Sequence, residues 1–164
     1  MSHLADQKKK SEKGSRLLNK GGFTKLIGSI REEFATENYS NNSRVTVLQA
    51  LLRLKLADES ILNDTVRLIK MDKMSNVNQL TNVLYVLAKF KWHSGDYIDV
   101  AIERFAKEPK LEPRIACRNL WNLFALGHKS EAGLKLFADV IQNSDPSKLN
   151  VLDLANSLRA FAHF

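Results

Sequence analysis

The sequence predicts an all-α protein, a right-handed α-solenoid of stacked antiparallel helix pairs with a period of 36 to 38 residues. Three observations predict it. The stretch LTNVLYVLAKF at 80–90 returns as LANSLRAFAHF at 154–164, and both fit L-x-N-x-L-x-x-x-A-x-F at a spacing of 74 residues. A looser copy, ACRNLWNLFAL at 116–126, lies 36 residues after the first. Leu48, Leu84, Leu120 and Leu158 then fall in one column. A period of this size marks supersecondary units that bury their apolar faces only by stacking on one another.

Composition sets the outer bounds. A chain of 164 residues, 44% of them hydrophobic, is expected to form one domain whose core needs no covalent staples. The single cysteine, Cys117, excludes an internal disulfide framework and suits a reducing compartment. No run approaches the ~20 apolar residues that span a bilayer, so no membrane partner is expected. The opening MSHLADQKKK lacks the apolar segment of a secretory signal, and Asp6 and Glu12 are out of place in a transit peptide. The net charge of +7 is uneven: residues 1–25 carry seven Lys/Arg against two Asp/Glu, and residues 26–42 carry one against three. A lysine-rich tail of this kind can bind polyanions, or it can serve only as a solubilising arm.

Taken in order, residues 1–21 are polar and aperiodic and are expected to be a disordered basic arm. Gly21-Gly22 reads as a turn. A helix is expected from Phe23, because Phe23, Leu26, Ile27, Ile30 and Phe34 share one face at helical spacing. In register it is the second helix of a partial unit, 22–42. Three further units follow at 43–78, 79–113 and 114–148, and a partial one at 149–164. Their first helices are expected at about 44–56, 77–92 and 114–126, and their second helices at about 59–71, 96–108 and 131–143. Pro113 suits the first turn of a helix, where a missing N–H costs nothing. Gly127 suits the left-handed position just past a helix end. Asp58, Ser94 and Ser130, spaced by 36, are expected to cap the second helices through their side-chain oxygens. The last unit stops after its first helix and would leave an apolar face bare, so either the chain is a stretch of a longer array, the preferred reading, or the bare end docks onto something.

Opposite the apolar stripe, each first helix presents a column three and four residues apart. It reads Thr46, Gln49, Arg53 in unit one; Asn82, Tyr85, Lys89 in unit two; Arg118, Trp121, Ala125 in unit three; and Asn156, Arg159, His163 in unit four. The segments holding first helices carry eight Lys/Arg and one acid, and the segments between them nine Lys/Arg against twelve acids. Stacking the first helices side by side would therefore make one continuous basic surface. Such a surface suits single-stranded nucleic acid: cations neutralise phosphates, aromatic rings stack on bases, and amides bond base edges. The candidate RNA-binding residues are Gln49, Arg53, Asn82, Tyr85, Lys89, Arg118, Trp121, Asn156 and Arg159. The alternative for Tyr85 and Trp121 is simple packing between neighbouring helices.

The motif and period resemble the helical repeats of octotricopeptide and heptatricopeptide proteins, and are similar to the repeat region of FAST-kinase-like proteins that carry a RAP domain. The resemblance covers residues 43–164. Unit three departs from it, with Arg118 for Asn and Phe124 for Ala. It implies an α-solenoid acting on organellar RNA, in the mitochondrial matrix or, as the lesser alternative, a plastid. No RAP domain is visible.

Catalytic chemistry finds no foothold. His3, His93, His128 and His163 have no cysteine partners at metal-ligand spacing. They are expected at surface or RNA-facing positions, with no metal. Cys117 has no evident base and is expected to be buried. The acids are scattered on second helices, with no pair placed for acid–base work. The expectation is a non-enzymatic RNA-binding protein of a mitochondrial ribonucleoprotein, needing no cofactor or small-molecule substrate. The competing expectation is a protein–protein scaffold subunit of a mitochondrial ribosome or RNA-processing complex.

Overall fold

A computed structural model of the chain describes residues 21–36, 39–74 and 76–163. Among them are eight α-helices, two short 3-10 turns at Met71–Lys73 and Pro146–Lys148, and no strand. The helices are α1 (Gly21–Phe34), α2 (Asn41–Leu54), α3 (Glu59–Leu68), α4 (Val77–Phe90), α5 (Gly95–Ala106), α6 (Pro113–Leu126), α7 (Glu131–Gln142) and α8 (Val151–Phe161). The protein is all-α. The expected basic arm lies outside the described residues except for Gly21, which with Gly22 belongs to α1. The expected turn there is therefore corrected: both glycines are already helical.

The period reappears in the helix ends. The residues preceding α2, α4 and α6 are Ser40, Asn76 and Glu112, spaced by 36, and Asn150 precedes α8. Ser40 accepts from the Ser43 N–H and Asn76 from the Asn78 N–H. Asn150 forms a reciprocal capping box with Asp153, satisfying two free donors at once. Pro113 takes the first position of α6 as its fixed φ requires. At the other end, Lys55, Lys91 and Gly127 all adopt the left-handed conformation, at φ 56°, 54° and 65°. The next residue then reaches back five positions: the N–H groups of Leu56, Trp92 and His128 donate to the carbonyls of Leu51, Leu87 and Leu123. The same C-terminal closure is thus made three times, with glycine in only one copy, although a Cβ makes that conformation costly.

The second helices begin less uniformly than expected. Asp58 accepts from the Ile61 N–H and Ser130 from the Gly133 N–H. Ser94 holds the equivalent place before α5, but its side chain makes no capping bond.

Each first helix touches the next, α2 to α4, α4 to α6 and α6 to α8. Within units, α4 touches α5 and α6 touches α7; α1 touches α3, and α5 touches α7. Leu48, Leu84 and Leu120 are all fully buried. Burying a leucine stabilises by roughly 1.5–3 kcal/mol, so this one column is a sizeable share of the core. Leu158 in the same column is 70% exposed, because no second helix follows α8 among the described residues. Leu26 departs from its expected core place and is 54% exposed, while Ile27 beside it is buried.

Gly133 sets one close approach. A Cβ there would stand 2.9 Å from Ile102 Cδ1 and 3.0 Å from Leu123 Cδ1. The missing side chain lets α7 lie against α5 and α6.

Candidate functional site

A cleft of about 590 Å³ opens along α4, α6 and α8. Tyr85 and Lys89 line it from α4, Arg118 and Trp121 from α6, and Asn156 from α8. Five of the nine candidate residues are therefore brought together, all from the column opposite the apolar stripe. The Tyr85 and Trp121 rings are 5.8 Å apart, tilted by 39°. The Lys89 ammonium lies over both, 5.3 Å from the Tyr85 centroid and 4.7 Å from that of Trp121. The Arg118 guanidinium lies 4.9 Å from the Tyr85 centroid. Each such contact is worth about 0.5–1 kcal/mol at an exposed site. The two rings are half-buried and the two cations exposed. The rings thus pack against each other and under the two cations while staying partly exposed.

The floor of the cleft is fixed by a buried amide network. Asn119 Nδ2 donates to Thr81 Oγ1 and to the Ile115 carbonyl, both at 3.0 Å. Asn122 Nδ2 donates to Asn119 Oδ1 at 3.1 Å and to the Thr81 carbonyl at 3.4 Å. Both asparagines are fully buried, so these bonds lock α4 to α6 in one register. Asn122 Oδ1 is the one buried side-chain oxygen or nitrogen left without a partner among the described residues. The sequence reading missed this pair. The signal was present: position 119 shares a column with Val83, and 122 with Val86, so two amides replace two valines on an inter-helix face.

The far wall is tied by Arg114, whose Nε lies 3.2 Å from Asp153 Oδ2. Glu112 also lines the cleft. The cleft is therefore less basic than the charge count of the first helices implies. Arg44 adds nothing to the surface either. It is buried at 2% exposure and donates to the carbonyls of Thr36 and Tyr39, so one of the eight cations counted in the first-helix segments is withdrawn from the surface.

The remaining candidates stand apart. Gln49 is half-buried and Arg53 exposed on α2, Asn82 is half-buried on α4, and Arg159 is exposed on α8. None of these four lines the cleft. Cys117 lines its floor at 1% exposure, buried as expected. Burial pushes its thiol pKa up, with the Asp153 charge adding to the rise and a Ser157 hydrogen bond opposing it. His128 contradicts its expected surface position. It is buried, with Nε2 2.8 Å from Asp99 Oδ1 and Nδ1 3.2 Å from His93 Nε2. His163 sets its ring edge-on to Phe124 at 4.9 Å.

No family model, curated protein or solved structure matches the chain. Among the described residues no helix is long and apolar enough to cross a membrane.

Proposed function

We propose that the chain is a non-catalytic RNA-binding helical-repeat protein of a mitochondrial ribonucleoprotein assembly, with its helix pairs stacked as a right-handed α-solenoid. The solenoid is supported by the contact of each first helix with the next and by the recurrence of the C-terminal closure at Lys55, Lys91 and Gly127. The mitochondrial matrix rests on the likeness of the L-x-N-x-L-x-x-x-A-x-F motif to organellar RNA-binding repeats.

One observation carries the RNA reading. Two half-exposed rings and two exposed cations from the same column of successive units line one open cleft, beside the amide of Asn156. A single-stranded base can stack on the outer face of Trp121 once Lys89 swings from the ring to a phosphate. Lys89 exchanges one electrostatic partner for another, so little is lost in the exchange.

Fluorescence anisotropy with single-stranded RNA across a salt series tests this. The slope of log K against log salt is about −0.7 per phosphate neutralised. Lys89→Glu with Arg118→Glu should weaken binding and flatten that slope by about 1.4. In a Trp92→Phe background Trp121 is the sole indole, and its emission should change on binding. An unchanged slope with unchanged emission refutes the reading.

A second reading, a scaffold subunit that holds other proteins, is favoured by the apolar face of α8, where Val151, Leu154, Leu158 and Phe161 are all exposed.

A further inference from the structure

Just past the C-terminal ends of α4 and α6, three titratable side chains form one hydrogen-bonded line. His128 follows the left-handed Gly127 and is buried. Its Nε2 lies 2.8 Å from Asp99 Oδ1 on α5. Its Nδ1 lies 3.2 Å from Nε2 of His93, in the loop between α4 and α5. The facing nitrogens are 3.2 Å apart and the ring centroids 5.4 Å apart. The rings therefore meet close to end to end, the geometry of a hydrogen bond. Both rest on Gly95, the first residue of α5, where a Cβ would stand 3.7 Å from His93 Cε1 and 4.0 Å from His128 Cε1. His93 and Asp99 are exposed, so water reaches both ends of a line whose middle is closed off.

Counting protons along the line sets a limit. A carboxylate only accepts, so His128 Nε2 carries a proton and donates it to Asp99. In the neutral ring Nδ1 is then a lone pair, and His93 Nε2–H is its donor. One added proton leaves every bond intact. On His93 it takes the outer nitrogen, Nδ1. On His128 it takes Nδ1, which then donates to His93 Nε2 once His93 holds its own proton on Nδ1. A second added proton sets N–H against N–H between two positive rings, with no acceptor between them. Other charged groups on the elements that meet here are Lys91 beside His93, Asp96 on α5, Lys129 beside His128 and Glu131 at the start of α7, all exposed. Among the described residues, Asp99 is the one carboxylate bonded to either ring.

We propose that Asp99, His128 and His93 form a proton-operated latch between units two and three. The latch is closed while the two rings share at most one added proton, and the second proton releases His93. The open corner binds one more proton than the closed one. Closure is therefore favoured as pH rises, and it is lost as pH falls through the lower part of the range in which imidazoles change charge. The latch lies at the opposite end of α4 from Thr81, so its release loosens the end of the α4–α6 joint that the asparagine network does not hold. It rests on the geometry of the corner and is independent of RNA binding. Unit one supplies an internal control: Leu56 and Ala57 stand in the columns of His128 and His93.

Two-bond 1H–15N spectra of the imidazoles, with amide hydrogen exchange, test this between about pH 8 and about pH 5. At the upper limit both rings should carry their proton on Nε2. On acidification the pair should take up two protons in separate steps, each visible at both rings. The Trp92 and His128 amides close this corner by donating to the Leu87 and Leu123 carbonyls. Their protection, corrected for the intrinsic exchange rate, should fall by about two- to tenfold through the second step, the scale of one hydrogen bond. The Leu56 amide, which makes the same closure on Leu51, should keep its protection. His93→Gln should abolish the fall, because a carboxamide does not titrate and can donate to or accept from His128 Nδ1 by turning over. His93→Ala should lower the protection of the His128 amide throughout the range. A His128 proton on Nδ1 at the upper limit overturns the latch. So do rings that titrate without affecting each other, an equal loss of protection at Leu56, or an undiminished fall in His93→Gln.

Discussion

The leucine column offers one residue type, one repeat position and two burial states in a single chain. Leu48, Leu84 and Leu120 are fully buried, and Leu158 is 70% exposed. Leucine-to-alanine changes at buried sites cost about 2.7–5 kcal/mol, the sum of lost transfer energy and the cavity left behind. Leu120 is clamped between neighbours on several sides, so its cavity cannot collapse, and about 3 kcal/mol is expected there. Leu158 hides less than a third of its surface and leaves no enclosed cavity. Scaling a full burial of about 2 kcal/mol gives about 0.6 kcal/mol. At this chain length each kcal/mol moves Tm by about 2–4 °C. Leu120→Ala should therefore lower Tm by about 6–12 °C and Leu158→Ala by about 1–2 °C, and Leu48→Ala and Leu84→Ala should resemble the former. Urea titration checks the free energies. Equal losses at Leu120 and Leu158 would refute the difference in burial on which the estimate rests.

Further expectations follow from single sites. Lys55→Gly and Lys91→Gly should each stabilise by about 0.5–1 kcal/mol, the left-handed penalty on a side chain less the entropy a glycine adds to the unfolded chain; Gly127→Ala should do the reverse, all read by urea midpoint. Gly133→Ala should destabilise by about 1–3 kcal/mol through overpacking, since its methyl would press on Ile102 and Leu123; a gain in stability would show that α7 can move away. Burial raises the Cys117 pKa, so the folded chain keeps a thiol proton that the unfolded chain releases. The associated stability is whole below the ordinary thiol range and fades as pH climbs through and above it. Cys117→Ala should remove that part of the alkaline decline, and parallel pH profiles for the two proteins would count against it.

Much of this fold was legible because the physics repeats. Helix positions came within a few residues from the 36-residue spacing alone, and Pro113 and Gly127 announced a start and a stop by their own backbone chemistry. Lys55 and Lys91 gave no such notice, since lysine has no preference for positive φ. Only their distance from Gly127, 72 and 36 residues, could have marked them. The column opposite the core led to Tyr85, Lys89, Arg118, Trp121 and Asn156 because helical spacing fixes which side chains share a face. It missed the partners that change what those residues can do. Arg114 is tied to Asp153 by contact across 39 residues, and Arg44 is drawn inward by carbonyls of the preceding loop. Charge counting treats every cation as available; tertiary pairing decides which ones are.

The amides beneath the cleft make the order of the units matter. A repeat protein is often pictured as interchangeable bricks, yet the joint between α4 and α6 here carries a fully buried polar key. Asn119 and Asn122 need the hydroxyl and carbonyl of Thr81, and the same column elsewhere holds Val45, Cys117 and Ala155. Transplanting unit three behind any other unit would leave one Asn119 N–H without its hydroxyl acceptor, the other keeping the Ile115 carbonyl, at a cost of about 1–3 kcal/mol for the buried group left unmade. The chain thus encodes not only what its modules are but which one must stand next to which.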